Sequence, residues 1–300
     1  MPEMKLNPEE QRSADESINE AFLEDFASQK DITTNSLVPS DATGAIRIIS
    51  RSHGILSGIS IARRAFEIFD PKVTFRQLLN DGDSLIPQGV IAEVSGSVRS
   101  LLTVERTALN FLTMLSGIST LTGQFVAAVE GTKTQILDTR KTHPGLRSLQ
   151  KYAVRCGGGT NHRIGLYDAI LIKDNHLAWF TTSGQNRLGE AILKCRSYAP
   201  DDTVVEVEVD SLEQLREILP AKPDIVLLDN MTEDQLREAV LLRNQSASSV
   251  LLEASGGVNL NTVSGISKTG VDRISIGALT HSAAALDIGF DWRFENSNFR

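Results

Sequence analysis

Apolar residues recur four apart at Ile18, Phe22 and Phe26, which predicts an amphipathic helix from Asp15 onward. Residues 1–14 before it are polar and expected to be disordered. Two short β-like runs follow, Ala45–Ile49 and Val90–Val94, set apart by turn signals such as Asn80-Asp81-Gly82-Asp83. A long helical pattern then runs from Leu102 to Val129, with a break expected near Ser116-Gly117. This stretch reads as a mixed α+β region.

After residue 130 the pattern changes. Six apolar runs alternate with helical segments: TQILDTRK, AILIKDNH, TVVEVEVD, DIVLLDNM, SSVLLEASGG and RISIGALT. They are mostly continuous rather than alternating, as parallel strands buried on both faces should be. Ser211 with Gln214, and Thr232 with Gln235, have the spacing of capping boxes at helix starts. Strand-helix repetition therefore predicts an α/β domain. A barrel is favoured over an open doubly wound sheet, because the polar residues gather at the strands' C-terminal ends, where barrels carry their sites.

The domains expected are residues 1–115 and a barrel at 116–300, with the last ~15 residues able to pack back on the first domain. At 300 residues and 41% hydrophobic content, the chain is long enough for both. Its net charge of −8 argues against nucleic-acid binding, which needs a basic surface. Two cysteines without disulfide or zinc spacing suit a reducing cytoplasm. The acidic N-terminus has no apolar signal region, and no stretch suggests a membrane span of about 20 apolar residues.

Against that acidic total, residues 138–176 hold seven Lys/Arg and three acids. Lys151 and Arg155, four apart on a predicted helix, read as a solvated face. Arg140, Lys141, His162, Arg163 and Lys173 each follow an apolar run or a glycine turn, and converging they would hold a ligand with several negative charges. Glu208 and Asp229 on later strand ends either bind Mg²⁺, directly or through water, or pair with the lysines. Periodicity does not separate Glu208 from Glu206, since residues two apart share a strand face. Ser255-Gly256-Gly257, ahead of a helix start at Asn259, and Ile276-Gly277 could offer backbone N–H groups to a phosphate or merely turn the chain. The G-x-x-x-x-G-K-[ST] and G-x-G-x-x-G patterns are missing, and no Ser or Cys has a nucleophile-elbow context.

The ordered motifs ERTALNFL (Glu105–Leu112), SGIST, DTRKTHPGLR, KYAV, GGGTNHR, LIKDNH, EVEVD, LLDN, EASGGV and SIGALTHS closely resemble those of the quinolinate phosphoribosyltransferase family, also called nicotinate-nucleotide pyrophosphorylase or diphosphorylase (carboxylating). That resemblance, from about residue 20 to 290, implies an N-terminal α/β sandwich domain followed by an open seven-stranded α/β barrel (TIM-like). It implies phosphoribosyl transfer from phosphoribosyl pyrophosphate to quinolinate with decarboxylation, Mg²⁺ as cofactor, and a homodimer or hexamer with shared sites.

Carried over residue by residue, Arg140, His162, Arg163 and Lys173 would hold the quinolinate carboxylates, with Thr139 beside them. Arg106 would reach in from the neighbouring subunit, and Lys141 would lie between substrate and pyrophosphate. Glu208 and Asp229 match the acidic pair near ribose and metal, so that Lys141, Glu208 and Asp229 would be the catalytic residues. Ser255, Gly256, Gly257, Ser275, Ile276, Gly277 and His281 match the 5′-phosphate positions. His143, Ser119-Thr120 and the Arg51-Ser52-His53 loop depart from the family pattern. Two rivals share some features: the related protein associated with molybdenum transport, and a Schiff-base barrel lyase using Lys173.

Overall fold

Asn7 starts the first helix, because its side chain accepts from the backbone of Glu9 and Glu10 while Glu10 bonds back to the Asn7 N–H. The computed structural model describes residues 4–27, 29–182 and 188–293. Helix α1 therefore spans Pro8–Phe26, so residues 8–14 are ordered helix and not the disordered lead expected from their polarity. Polarity misled here because Glu10 is buried and clasps Arg155 at 2.8 and 3.0 Å.

The chain forms two compact units, which are not consecutive halves. The first takes in the described residues up to Gly123, then Thr142–Gly158, then the described residues from Leu279 on. Its elements, in chain order, are α1, α2 (Ile32–Leu37), β1 (Thr43–Ser50), β2 (Gly54–Ile55), α3 (Ile59–Phe69), β3 (Thr74–Gln77), β4 (Ser84–Leu85), β5 (Val90–Ser97) and α4 (Val98–Ala128). Helix α5 (Arg147–Cys156) and the last strand, β12 (Ile288–Arg293), also belong to it. The main sheet is antiparallel in the order β12-β1-β5-β3.

Strand β1 buries Ile46, Ile48 and Ser50 on one face, as period-two alternation requires. On the other face Arg47 and Arg76 both meet Glu93 at 3.0 Å. The stripe Ala14, Ile18 and Phe22 of α1 is buried, as the four-residue spacing predicts. Lys151 and Arg155, expected on a solvated face, belong to the packed interior instead: Lys151 is fully buried and Arg155 is the partner of Glu10.

Helix α4 runs unbroken through Ser116-Gly117. The small residues there serve close packing. Ser116 Oγ accepts from Ser57 N at 3.0 Å, and Thr120 Oγ1 accepts from Ile55 N at 2.9 Å. A Cβ at Gly117 would lie 2.1 Å from the Ala284 carbonyl oxygen and 3.3 Å from the Ala285 Cα, both backbone atoms. We therefore expect Gly117→Ala to destabilise the fold by about 2 kcal/mol or more, read as a lower denaturant midpoint. By length and composition α4 could cross a membrane, with a window of mean hydropathy 1.3, contrary to the expectation from sequence. Half of that window is buried inside the protein, as in a core helix.

The second unit comprises Gln124–Lys141 and Gly159–Ala278. Its strands are β6 (Gln135–Leu137), β7 (Ile170–Ile172), β8 (Val205–Val209), β9 (Ile225–Asp229), β10 (Leu251–Ser255) and β11 (Arg273–Ser275). All pair in parallel in the order β6-β11-β10-β9-β8-β7, the open sheet of an α/β barrel. Each of the six predicted apolar runs supplies one strand. A seventh place beside β6 is held by a single parallel bridge, Leu137 to Thr160. The intervening helices are α6 (Asp174–Thr182), α7 (Leu188–Tyr198), α8 (Leu212–Ile218), α9 (Glu233–Ser246) and the short α10 (Val263–Ser267), and a last short helix, α11 (Ala278–His281), follows β11. Thr232 and Gln235 form the full capping box at α9. Gln214 bonds instead to the Asp210 N–H, one residue before the cap, so the α8 box is incomplete.

Candidate active site

Each parallel strand delivers its polar residues to the same end, because all six run the same way. Asp138 to Lys141 follow β6, Lys173 follows β7, Glu208 and Asp229 lie on β8 and β9, and Ser255 and Ser275 end β10 and β11. Arg106 and His281 belong to the first unit; Arg106 lies on α4 in a recess with Asp25 and Asp31, and His281 is exposed with Nδ1 2.6 Å from Ser282 Oγ. The segment DTRKTHPGLR is divided. Asp138–Lys141 lie in the barrel unit, whereas His143 bonds with Gln150 and Arg147 Nε donates to Thr142 Oγ1 in the first.

Arg140 carries a buried Nε that meets no acceptor among the described residues. Arg163 is its like-charged neighbour. Burial, and then the Arg140 charge, lower the Arg163 pKa against the pull of Glu206 and Asp168. Guanidinium groups stay charged regardless. The pair therefore forms a desolvated, self-repelling cationic patch, relieved by a ligand bearing carboxylates. Arg163 Nη1 donates to Ala169 O at 3.0 Å, and Lys141 N donates to Thr139 Oγ1 at 3.0 Å.

Lys173 Nζ lies 3.6 Å from Glu208 Oε2. Burial raises the Glu208 pKa; Lys173 opposes the rise, and Asp229 and Asp174 add to it. A cavity of about 450 Å³ opens beside Glu208, Asp229, Asp174 and Asp210. Two hard oxygen donors on adjacent strands, with too little positive charge around them, fit a cation such as Mg²⁺.

His162 lies deeper than Lys173. Its Nε2 lies 3.0 Å from Glu206 and 3.3 Å from Glu253, and its Nδ1 accepts from Arg163 N at 2.8 Å. Both ring nitrogens thus face protein partners. Burial and the Arg163 N–H at Nδ1 oppose charge on the ring, since an imidazolium has no lone pair there to accept, while the two carboxylates favour it.

The phosphate loop is also modified by the structure. Gly256 has φ 93° and a Cβ there would sit 2.2 Å from Asn230 Oδ1, so only glycine fits. Gly257 is exposed with open space around it. Ser275 Oγ donates to Ser255 Oγ at 3.1 Å, linking the last two strand ends. Ile276, expected at the phosphate, is buried and its N–H donates to Leu137 O at 2.9 Å; extension of the β-ladder uses that amide. The helix start expected at Asn259 is a turn, with α10 beginning at Val263, so phosphate binding would rest on the glycines and not on a helix end.

A parallel barrel with paired guanidiniums and paired carboxylates at its strand ends defines a class of proteins that hold multiply anionic small molecules. The sequence model of the quinolinate phosphoribosyl transferase N-terminal domain matches residues 31–116, and that of its C-terminal domain residues 118–291. A Mycobacterium leprae protein named nicotinate-nucleotide pyrophosphorylase (carboxylating) is 44% identical over 283 residues, covering 93% of this chain and 97% of that protein. A Bacillus subtilis protein, named a probable enzyme of the same kind, is 41% identical over 281 residues, with 94% of both covered. The crystal structure of NadC from Streptococcus pyogenes superposes with a TM-score of 0.88 at 40% identity, covering 97% of this chain and 99% of that one. This chain belongs to the quinolinate phosphoribosyltransferase family.

Proposed function

We propose that the chain transfers phosphoribose from phosphoribosyl pyrophosphate to the ring nitrogen of quinolinate with loss of CO₂, giving nicotinate mononucleotide and pyrophosphate, and that the residues assembled above carry the reaction. The observation that supports these assignments best is the half-buried Arg140–Arg163 pair, in which the buried Arg140 Nε meets no acceptor among the described residues. A planar fork suits each substrate carboxylate. Lys173 would add charge toward those carboxylates and Lys141 toward the phosphates, and Arg106 would complete the pocket from a second subunit. Ser255, Gly256, Gly257 and Gly277 would hold the 5′-phosphate.

Displacement of pyrophosphate develops positive charge on the ribose ring, which Glu208 and Asp229 would stabilise. The same two carboxylates would hold Mg²⁺, which supplies neutralising charge for the leaving pyrophosphate when bound. Ribosylation makes the pyridine nitrogen cationic, and that charge stabilises the electron pair left on the ring carbon when the adjacent carboxylate departs as CO₂, a pair that then takes up a proton from water. The protein's contribution is positioning and electrostatics, so no nucleophile is required. Lys173 does not suit a Schiff base: it is half exposed and paired with Glu208, whereas such a lysine must be desolvated.

The direct test measures nicotinate mononucleotide formed from quinolinate or, as a control, from nicotinate, with phosphoribosyl pyrophosphate and Mg²⁺, and CO₂ released in the quinolinate reaction. Turnover with quinolinate and little with nicotinate is expected. Equal use of both, or of neither, would sink the reading.

A further inference from the structure

Strand β8 presents two glutamates on one side, and only depth separates them. Glu208 keeps 15% of its side chain exposed and meets Lys173, while Glu206 keeps 2% and meets His162. Glu253 on β10 is fully buried, with Oε1 3.3 Å from the same His162 nitrogen and Oε2 3.5 Å from Arg273 Nε. Among the described residues Glu206 Oε1 and both Glu253 oxygens reach no hydrogen-bond geometry, so charge attraction and the His162–Glu206 Oε2 contact hold this layer. With Nδ1 holding the Arg163 N–H, the ring is neutral and presents its Nε2–H to the two carboxylates, whose charge the Arg273 guanidinium partly balances while burial raises the Glu206 pKa. Such a buried cluster is intolerant of losing one member, because an uncompensated charge remains.

The other side of the His162 segment is equally constrained. Its backbone N–H donates to Asp138 Oδ1 at 2.8 Å and Asn161 Nδ2 donates to Asp138 Oδ2 at 2.6 Å. Asp138 is itself buried and directly precedes Thr139-Arg140-Lys141. The segment is thus fixed at its backbone from β6 and at its ring from β8 and β10. Arg163 is the next residue, with its own N–H on the His162 ring, and Glu206 is the foremost negative charge acting on it.

We infer that Glu206 and Glu253 are positioning residues: acting through the His162 ring, they hold Arg163 beside Arg140 in the arrangement that receives the substrate's carboxylates. This rests on the function proposed above. One imidazole nitrogen and two carboxylate oxygens within 4.8 Å of one another could alternatively hold a divalent cation. The charge balance opposes that, since a dication beside Arg273 would leave the buried layer with a net positive charge.

The test uses the full chain with Glu253→Gln and Glu206→Gln, nearly isosteric changes that remove one charge each. Either variant should raise KM for quinolinate ~10-fold while KM for phosphoribosyl pyrophosphate stays within about twofold, a split that general loosening of the fold would not produce. In a His162→Ala background, Glu253→Gln should change KM for quinolinate by less than about twofold, because the pathway through the ring is already gone. If one variant fails to fold, the other decides through its own contact with His162. Equal changes in both KM values, or the same Glu253→Gln effect with and without His162, would overturn the inference. So would a stoichiometric divalent metal in the purified protein, found by elemental analysis and lost in Glu253→Gln. Wild-type protein inactive on quinolinate would defeat the functional reading itself; active wild type with unaltered variants would defeat only the positioning role.

Discussion

Replacing Arg140 with alanine should lower kcat/KM for quinolinate by ~10³-fold, equivalent to about 4 kcal/mol of transition-state stabilisation. The estimate follows from the site's construction. The Arg140 Nε is buried and meets no acceptor among the described residues, so a substrate carboxylate would satisfy it fully, and truncation would leave that carboxylate desolvated and unpaired. Arg140→Lys should restore only part of the loss, since an ammonium keeps the charge but lacks the planar fork. Removing Arg140 should also relieve the repulsion on Arg163, so the folded protein should be no less stable than wild type. Initial rates of CO₂ release and a denaturation curve measure the two effects. A loss smaller than ~10-fold would remove Arg140 from the carboxylate site.

Mixing two inactive variants should restore activity. If Arg106 serves its neighbour's site and Lys141 its own, Arg106→Ala and Lys141→Ala proteins should each be nearly dead. Unfolded together and reassembled in equal amounts, they should form half heterodimers, each with one intact site, and recover about a quarter of wild-type turnover. The same treatment of either variant alone should recover nothing. Absence of recovery in the mixture, with heterodimers shown to be present, would place Arg106 in its own subunit's chemistry or outside the site.

The barrel strands were legible because burial on both faces leaves a simple mark, a continuous apolar run ending in polar residues. TVVEVEVD and DIVLLDNM became β8 and β9 with Glu208 and Asp229 near their ends. Short-range patterns did less well wherever a distant partner changed their meaning. Residues 8–14 looked like a frayed lead until Arg155 gave Glu10 a buried counterion. Ser116-Gly117 looked like a break, but α4 continues because the Ala284 backbone needs that space. Ile276 stands next to a glycine at a strand end and invites a phosphate, yet its amide extends the ladder to Leu137. None of these partners is close in sequence.

The sequence by itself determined which residue types the site contains: cations after the first two barrel strands, carboxylates on the next two, glycines on the later ones. Local spacing suffices there, since strand direction sends every such residue to the same end. Only the tertiary structure decided which partners they meet. Glu206 and Glu208 have the same periodicity, and His162 and Arg163 are adjacent, yet one of each pair joins the buried ionic layer while the other turns to Lys173 or to the Ala169 carbonyl. Depth within the barrel makes that choice, because it sets how far each charge is removed from water and which opposite charge it must find.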